Sequence, residues 1–198
     1  MNQPLDTGAR PKLIAVAGDA GIGAESVELN VAQEVGRLLV DHGYRLVTGG
    51  LGGVMEAACR GGRASAAWKD GAIVGILPGH DPQEANPFVD VVIPTGLDVA
   101  RNVLVAHADA LIAIGGGAGT LTEIAMAWQM RRLVLAYRGQ GWSGRLADQR
   151  VDARIRYEDD EGDCVHGFDN AEEAIAILRD LLPRHARSYA GIIRRPAS

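Results

Sequence analysis

The clearest structural signal in the chain is the stretch Ala110-Leu111-Ile112-Ala113-Ile114-Gly115-Gly116-Gly117-Ala118-Gly119-Thr120-Leu121-Thr122-Glu123. Its first five residues form a continuous apolar run, which is typical of a strand buried on both faces of a parallel sheet. The glycines that follow allow a tight turn, and residues 120–130 have the apolar spacing of a helix. A buried strand that passes through a glycine-rich turn into a helix is the building unit of nucleotide-binding α/β domains.

The same alternation continues on both sides of this stretch. Five further strands are predicted at residues 13–17, 45–48, 72–77, 89–93 and 133–137, and further helices from residue 27, over 55–68 and over 97–107. A last helix is predicted after Asn170, an N-cap residue with Glu173 three positions later. Residues 139–163 are charged and poorly periodic.

Apolar strands that alternate with helices predict a parallel sheet covered by helices on both faces. We therefore expect an α/β fold: a single doubly wound, Rossmann-like domain with a mostly parallel sheet of about six or seven strands. The domain should span residues 1–198, with loose tails at 1–11 and 184–198.

Composition excludes several classes of protein. The 198 residues hold 20 basic and 25 acidic side chains and no basic stripe, so a nucleic-acid partner is not expected. No apolar run is long enough to cross a bilayer, and residues 1–10 lack the apolar core of a signal peptide. We expect a cytoplasmic protein with no membrane partner, in which Cys59 and Cys164 are free thiols.

Glycine is over-represented, with 26 residues that concentrate at 49–53, 61–62 and 115–119. Glycine-bearing junctions follow the first, second and fifth predicted strands, at the sheet edge where ligands bind in such folds. Glycine lets amides approach an oxyanion, and the following helix adds its positive dipole end. We predict a phosphate cradle at Gly117, Gly119 and Thr120, and the alternative is a tight turn needed only for packing.

Two familiar nucleotide sites are excluded. The first junction, Gly18-Asp19-Ala20-Gly21-Ile22-Gly23, has its glycines in the wrong order for a dinucleotide fingerprint, and the second strand ends without a carboxylate for the ribose. No glycine precedes Lys-Ser or Lys-Thr, so there is no P-loop. The spacing of His80, Asp81 and Glu84 matches no metal-site pattern, and no metal is expected.

Residues 115–123 resemble the P-G-G-x-G-T-x-x-E motif of the LONELY GUY family, also called lysine-decarboxylase-like. Its best-known members are phosphoribohydrolases that cleave cytokinin nucleotides. The closer resemblance is to a bacterial branch that includes the molybdenum-cofactor carrier protein. It covers about residues 13–137 and is carried by Thr48-Gly49-Gly50, Gly53-Val54-Met55-Glu56-Ala57, Ile76-Leu77-Pro78-Gly79, Ala85-Asn86-Pro87 and Ala100-Arg101-Asn102.

The resemblance assigns roles to individual residues. In the hydrolases an arginine and the motif glutamate act at the ribose, and here these are Arg101 and Glu123. The remaining candidate binding residues are Gly18, Gly49, Gly50, Asn102, Gly116, Gly117, Gly119 and Thr120. Two alternatives stay open: Glu123 as a carboxylate that offsets the helix dipole, and Arg101 in a salt bridge to Asp98 or Glu123.

Two departures from the hydrolase pattern favour a carrier. Asn102 stands where the hydrolases have lysine, and Gly115 replaces the motif proline. The decarboxylase activity implied by the family's second name is excluded, because neither Lys12 nor Lys69 lies at a junction where it could form a Schiff base.

The resulting hypothesis is a homodimeric binding protein for a phosphorylated nucleotide or pterin, with no required cofactor and with an AMP-like nucleotide or molybdopterin as ligand. The alternatives are a nucleoside 5′-monophosphate phosphoribohydrolase, whose transition state Glu123 would stabilise, and a nucleotide-sensing regulatory domain.

Overall fold

A computed structural model describes residues 10–23, 25–157 and 162–185. In these residues a seven-stranded sheet has the order β4-β3-β2-β1-β5-β6-β7, and every neighbouring pair is parallel. The strands are β1 (Leu13–Gly18), β2 (Arg45–Thr48), β3 (Ile73–Leu77), β4 (Val91–Pro94), β5 (Ala110–Ile114), β6 (Leu133–Tyr137) and β7 (His166–Phe168). The predicted Rossmann-like fold class is confirmed.

Six α-helices cover the sheet in the described residues: α1 (Val27–Asp41), α2 (Val54–Ala64), α3 (Asn102–Ala106), α4 (Ala118–Gln129), α5 (Gly141–Leu146) and α6 (Ala171–His185). The side chains of β1 show how the two faces are filled. Ile14 and Val16 join a core built with α1, α2 and α6, whereas Ala15 and Ala17 join a second core built with α3 and α4. Both faces of the sheet are therefore buried, as the continuous apolar strands predicted.

The strand order reverses between β1 and β5. From β1 the chain builds the sheet outward through β2, β3 and β4, and from β5 it builds outward in the other direction. The helix after β1 packs on one face and the helix after β5 on the other. The two connections diverge above the carboxyl ends of these strands, and ligands bind at such a switch point in open α/β sheets.

Several predicted boundaries were wrong for identifiable reasons. Helix α2 ends at Ala64 instead of residue 68, because Ser65 is extended and its hydroxyl oxygen accepts the amide of Ala67. The helix predicted over 97–107 is divided into a 3-10 turn (Asp98–Arg101) and α3, and Asp98 there adopts a left-handed φ of 50°. Strand β4 is shifted to Val91–Pro94 from the predicted 89–93.

The segment predicted to be poorly periodic contains α5, and β7 lies just beyond it. The α6 N-terminus, in contrast, agrees with its prediction. The amide of Glu173 donates to the Asn170 carboxamide oxygen over 2.9 Å, and a Glu173 carboxylate oxygen accepts the amide of Asp169 over 2.7 Å.

The predicted tails are only partly described. Arg10 donates to the buried carboxylate of Asp109 over 2.8 Å, and Arg184 and His185 belong to the last turn of α6. Residues 1–9 and 186–198, the remainder of the predicted tails, lie outside the described residues. Among the helices that the structure describes, none combines the length and the apolar character required to span a bilayer.

Close packing of α1 against α2 explains Gly61 in the 61–62 glycine cluster, together with Gly36 in α1. A Cβ on Gly61 would lie 1.8 Å from the backbone oxygen of Gln33, and a Cβ on Gly36 would lie 2.0 Å from that of Ala58. Both distances are far below van der Waals contact, so the two backbones can approach only because these residues are glycine. The neighbouring Gly62 is different, because its nearest neighbour would be the flexible end of Ile73 at 3.1 Å.

These contacts predict opposite outcomes for adjacent substitutions in α2. Gly61→Ala should lower the free energy of unfolding by about 2 kcal/mol or more, because α1 must move away. Gly62→Ala makes the same gain in helix propensity and should stay within about 1 kcal/mol of the wild type. Urea denaturation of the two variants measures the difference, and equal stabilities would refute the packing role of Gly61.

Candidate functional site

Arg101 and Glu123 form a buried pair near the carboxyl edge of the sheet. Arg101 ends the 3-10 turn before α3, and Glu123 lies in α4. The Arg101 Nη1 atom is 3.4 Å from Glu123 Oε1, and the two side chains are only 10% and 8% exposed. Of the two salt-bridge partners considered for Arg101, Glu123 is therefore the one found.

Gly49, at the end of β2, makes room for the guanidinium. A Cβ on Gly49 would lie 2.4 Å from Arg101 Nη1. The second glycine-bearing junction thus contributes to the site by leaving a space that Arg101 fills. The carboxamide nitrogen of Asn102 approaches the carbonyl oxygen of Gly119 at 3.5 Å, which brings α3 next to the start of α4.

The guanidinium of Arg101 uses few of its five N–H groups. The 3.4 Å contact of Nη1 with Glu123 is long for a hydrogen bond, and the buried Nε has no acceptor among the described residues. Buried polar groups in folded proteins are almost always hydrogen-bonded, since an unsatisfied one costs free energy. Unused donors on a buried cation therefore point to an anionic or oxygen-rich ligand.

Burial also changes the protonation of the pair. Removal from water raises the pKa of Glu123 to about 7, with the charge of Arg101 acting in the opposite direction. Burial likewise lowers the pKa of Arg101, although the carboxylate of Glu123 opposes this. At neutral pH Glu123 is thus close to the midpoint between its neutral and ionised forms, where a carboxyl group can both donate and accept hydrogen bonds.

The glycine turn, residues 115–120, connects β5 to α4. Gly115 and Gly116 have φ values of 65° and 90°, a conformation that favours glycine. Gly117 is the N-cap of α4 and supplies no side-chain hydrogen bond, and Gly117, Ala118 and Gly119 are exposed. Among the described residues no side chain caps the first amides of α4, and uncapped amides of this kind bind phosphate at helix N-termini.

Thr120 occupies a different place from the rest of the turn. It is buried, and a Cβ on Gly116 would lie 2.1 Å from its hydroxyl oxygen. The side chain thus packs against the backbone of Gly116. This contact requires glycine at position 116 and places Thr120 in support of the turn.

Two other predicted residues have internal roles. A Cβ on Gly18 would lie 2.4 Å from the carbonyl oxygen of Ile114, so this glycine allows β1 and β5 to meet at the switch point. Gly50 is buried, its amide donates to the Thr48 hydroxyl over 3.0 Å, and its carbonyl accepts the amide of Asn86 over 2.8 Å. The structure thus brings together Gly49, Arg101, Asn102, Glu123 and the glycine turn, with Gly18 and Gly50 behind them.

Ser143 in α5, which the sequence did not indicate as a site residue, contacts the glycine turn directly. The amide of Gly115 donates to Ser143 Oγ over 2.7 Å, and Ser143 is completely buried. A signal was present, because Gly139-Gln140-Gly141-Trp142-Ser143-Gly144 is a further glycine-rich segment directly after β6. A glycine-rich segment after β6 lies at the same edge of the sheet as the other junctions, which indicates that it can contact them. Within the described residues, no group of three or more metal-binding side chains is placed to hold a metal ion.

The similarity to known proteins covers the same region of the chain. A family model described as LDcluster4, SLOG cluster4 family, matches residues 11–175. An uncharacterized protein of Archaeoglobus fulgidus is 46% identical over 98 residues, which are 49% of this chain and 62% of that protein. The match therefore spans less than two thirds of this relative.

Two solved structures are similar over almost their whole length. The molybdenum cofactor binding protein of Rippkaea orientalis is 29% identical, with a TM-score of 0.72, and the match covers 88% of this chain and 99% of that one. The molybdenum cofactor carrier protein of Chlamydomonas reinhardtii is 28% identical, with a TM-score of 0.69 and coverage of 87% and 99%. The predicted resemblance to the carrier branch is confirmed.

The raised pKa of Glu123 predicts a pH dependence of stability. An unfolded glutamate ionises near pH 4.5, whereas Glu123 in the folded protein ionises near pH 7. Between these values the folded state holds a proton on Glu123 that the unfolded state has lost. The free energy of unfolding therefore falls as the pH rises from about 4.5, and this loss is complete above about 7. Relative to Glu123→Gln, the wild type should lose up to about 3 kcal/mol of unfolding free energy from pH 5 to pH 8.

Urea denaturation of both proteins at pH 5, 6, 7 and 8 measures this difference. Glu123→Gln is the matched control because all other titrating groups are common to both proteins. A difference between the two unfolding free energies that does not change with pH would show that Glu123 titrates as an ordinary glutamate.

Proposed function

The chain belongs to the SLOG cluster4 family, and from this premise we propose that it binds a small phosphorylated ligand between the Arg101–Glu123 pair and the glycine turn. The observation that carries the proposal is the buried guanidinium of Arg101, whose Nε has no acceptor in the described residues. A ligand oxygen would supply the missing acceptor.

The site contains two sets of groups, which suit two different parts of a ligand. The exposed amides of Gly117 and Gly119 lie at the uncapped start of α4 and suit a phosphate. Arg101 and Glu123 lie deeper and suit a polar group next to the phosphate, such as a ribose or the oxygen- and nitrogen-rich edge of a pterin. Glu123, close to half-protonated at neutral pH, can accept or donate a hydrogen bond there.

The ligand class that we favour is a phosphorylated pterin, and the activity is carriage without cleavage. Support comes from the similarity to solved molybdenum cofactor carrier and binding proteins at 28–29% identity. The donor set agrees with this ligand, because the amides at the start of α4 suit its phosphate and Arg101 suits the polar group next to the phosphate. Asn102, in place of the lysine of the hydrolases, removes one cation from the site. We also propose that this activity takes place in the cytoplasm.

One observation favours phosphoribohydrolase activity as the second candidate. Arg101 and Glu123, the two residues to which the family resemblance assigns catalysis, form a direct pair at 3.4 Å in a site shielded from water. An ionised Glu123 beside a ribose would stabilise the positive charge that develops as the N-glycosidic bond breaks.

Binding of AMP tests the proposed site, and cleavage of AMP distinguishes the two candidate functions. Arg101→Met should weaken AMP binding, measured by isothermal titration calorimetry, about tenfold or more, because the charge-assisted contact is lost. Arg60→Met is the matched control, since Arg60 is an exposed arginine on α2 that bonds to Gln33 away from the site. Equal AMP affinity in wild type and Arg101→Met would refute the proposed role of Arg101.

Chromatography of the same AMP mixture for free adenine tests the chemistry. The carrier proposal predicts no adenine. Adenine that is released by the wild type and absent with Glu123→Gln would overturn the carrier proposal and establish the phosphoribohydrolase.

We also propose that the protein is a homodimer. Eight large apolar side chains are exposed in the described residues, and six of them lie within residues 91–104, which we term the 91–104 surface: Val91, Ile93, Leu97, Val99, Val103 and Leu104. This segment includes β4, the edge strand of the sheet. Clustered apolar side chains beside a sheet edge are typical of a protein contact surface.

Light scattering coupled to size-exclusion chromatography tests the dimer. The wild type should have about twice the 20.9 kDa chain mass, and Val99→Glu should shift it toward the monomer by burying a charge in the contact. Val99 is 74% exposed, and Ile155→Glu is the matched control because Ile155 is 72% exposed outside the 91–104 surface. A dimer unaffected by Val99→Glu would place the contact elsewhere.

A further inference from the structure

Three hydrogen bonds join the start of α5 to the glycine turn. The amides of Ser143 and Trp142 donate to the carbonyl oxygens of Gly115 and Gly116 over 3.1 and 3.0 Å. In the opposite direction, the amide of Gly115 donates to Ser143 Oγ over 2.7 Å. Because Ser143 is completely buried, the bonds that it makes are shielded from competition with water.

These bonds fix the direction of the next two amides. None of the peptide bonds in the described residues is cis, and in a trans peptide the N–H points opposite to the C=O of the same group. The carbonyls of Gly115 and Gly116 face α5, so the amides of Gly116 and Gly117 face away from it. No acceptor in the described part of the chain engages either amide.

The hydroxyl of Ser143 has its own acceptors in the segment between β6 and α5. The nearer is the carbonyl oxygen of Tyr137, the last residue of β6, at 2.9 Å, and the carbonyl oxygen of Gln140 lies at 3.4 Å. The lone pairs of Ser143 Oγ are thereby left for the amide of Gly115. An alanine at this position would leave the buried amide of Gly115 and the carbonyl of Tyr137 without this partner.

Gly141 allows α5 to approach the turn. It has a φ of 73°, and a Cβ on it would lie 2.7 Å from the carbonyl oxygen of Gly116. A side chain at position 141 would therefore push α5 away from the carbonyl oxygen that Trp142 holds. This requirement supports the contact independently of Ser143.

We propose that Ser143 is a positioning residue that orients the glycine turn for phosphate, acting through α5 without touching the ligand. Its hydroxyl oxygen holds the amide of Gly115 and its backbone amide holds the carbonyl of Gly115, so that the amides of Gly116 and Gly117 are already directed away from α5 before a ligand arrives. Preorganised amides bind an anion without a further cost of ordering. The inference rests on the proposed function, because phosphate is taken as the group that these amides bind.

A first measurement needs no ligand. Amide hydrogen exchange of Gly115, followed by NMR, should be about tenfold or more faster in Ser143→Ala than in the wild type. Ser65→Ala is the matched control, because Ser65 is also buried and its hydroxyl oxygen also accepts a backbone amide, that of Ala67. Unchanged exchange at Gly115 in Ser143→Ala would overturn the positioning role.

A second measurement compares AMP with adenosine, which lacks the phosphate. Calorimetry should show AMP affinity reduced about tenfold in Ser143→Ala with adenosine affinity retained, and both retained in Ser65→Ala. A merely structural role would lower both affinities together, and that outcome, or no change, would overturn the proposal. Gly141→Ala, which keeps the hydroxyl and displaces α5, should reproduce the loss and replaces Ser143→Ala if that variant does not fold.

The two measurements separate this proposal from the proposed function. If the wild type binds AMP no better than adenosine, the phosphate site itself is refuted. The exchange of Gly115 then still decides whether Ser143 orients the turn.

Discussion

Where β1 pairs with β5, Gly18 lies so close to Ile114 that a Cβ would be 2.4 Å from the Ile114 carbonyl oxygen. The rest of the architecture depends on this contact. The sheet grows outward from the β1–β5 pair in both directions, and the two following connections lead to opposite faces. The glycine turn after β5 therefore emerges at an open edge of the sheet, where a ligand can reach it.

The glycine excess of this chain serves three physical purposes. Gly61 lets two helix backbones meet, and Gly18 lets two strand ends meet, because neither has a Cβ. Gly115 and Gly116 adopt backbone angles that favour glycine. Gly49 leaves the volume that the guanidinium of Arg101 occupies. These purposes cannot be separated by composition, because each depends on what lies across from the glycine in space.

Burial of the Arg101–Glu123 pair costs free energy, which the rest of the fold must offset. Removing two charges from water costs free energy. Their mutual contact at 3.4 Å offsets little of that cost, because Nε of Arg101 has no acceptor among the described residues. The raised pKa of Glu123 expresses the same cost, because burial favours its neutral form. A site with such weakly paired buried groups is suited to bind a ligand, because a ligand that supplies hydrogen-bond partners recovers part of this free energy.

The sequence by itself determined the parts of the protein that depend on local signals. β5 and β6 have the predicted bounds, and Asn170 caps α6 with Glu173, because apolar runs and capping residues act on their immediate neighbours. The glycine turn before α4 was found in the same way.

Only the tertiary structure decided which groups meet. Arg101 and Glu123 are 22 residues apart, and Gly115 and Ser143 are 28 apart. Helix α5 has only six residues, too few to establish a helical period, and it is held by its contacts with the turn. Such pairs form because successive strands return the chain to the same edge of the sheet. No local sequence pattern encodes a contact between residues so far apart in the chain.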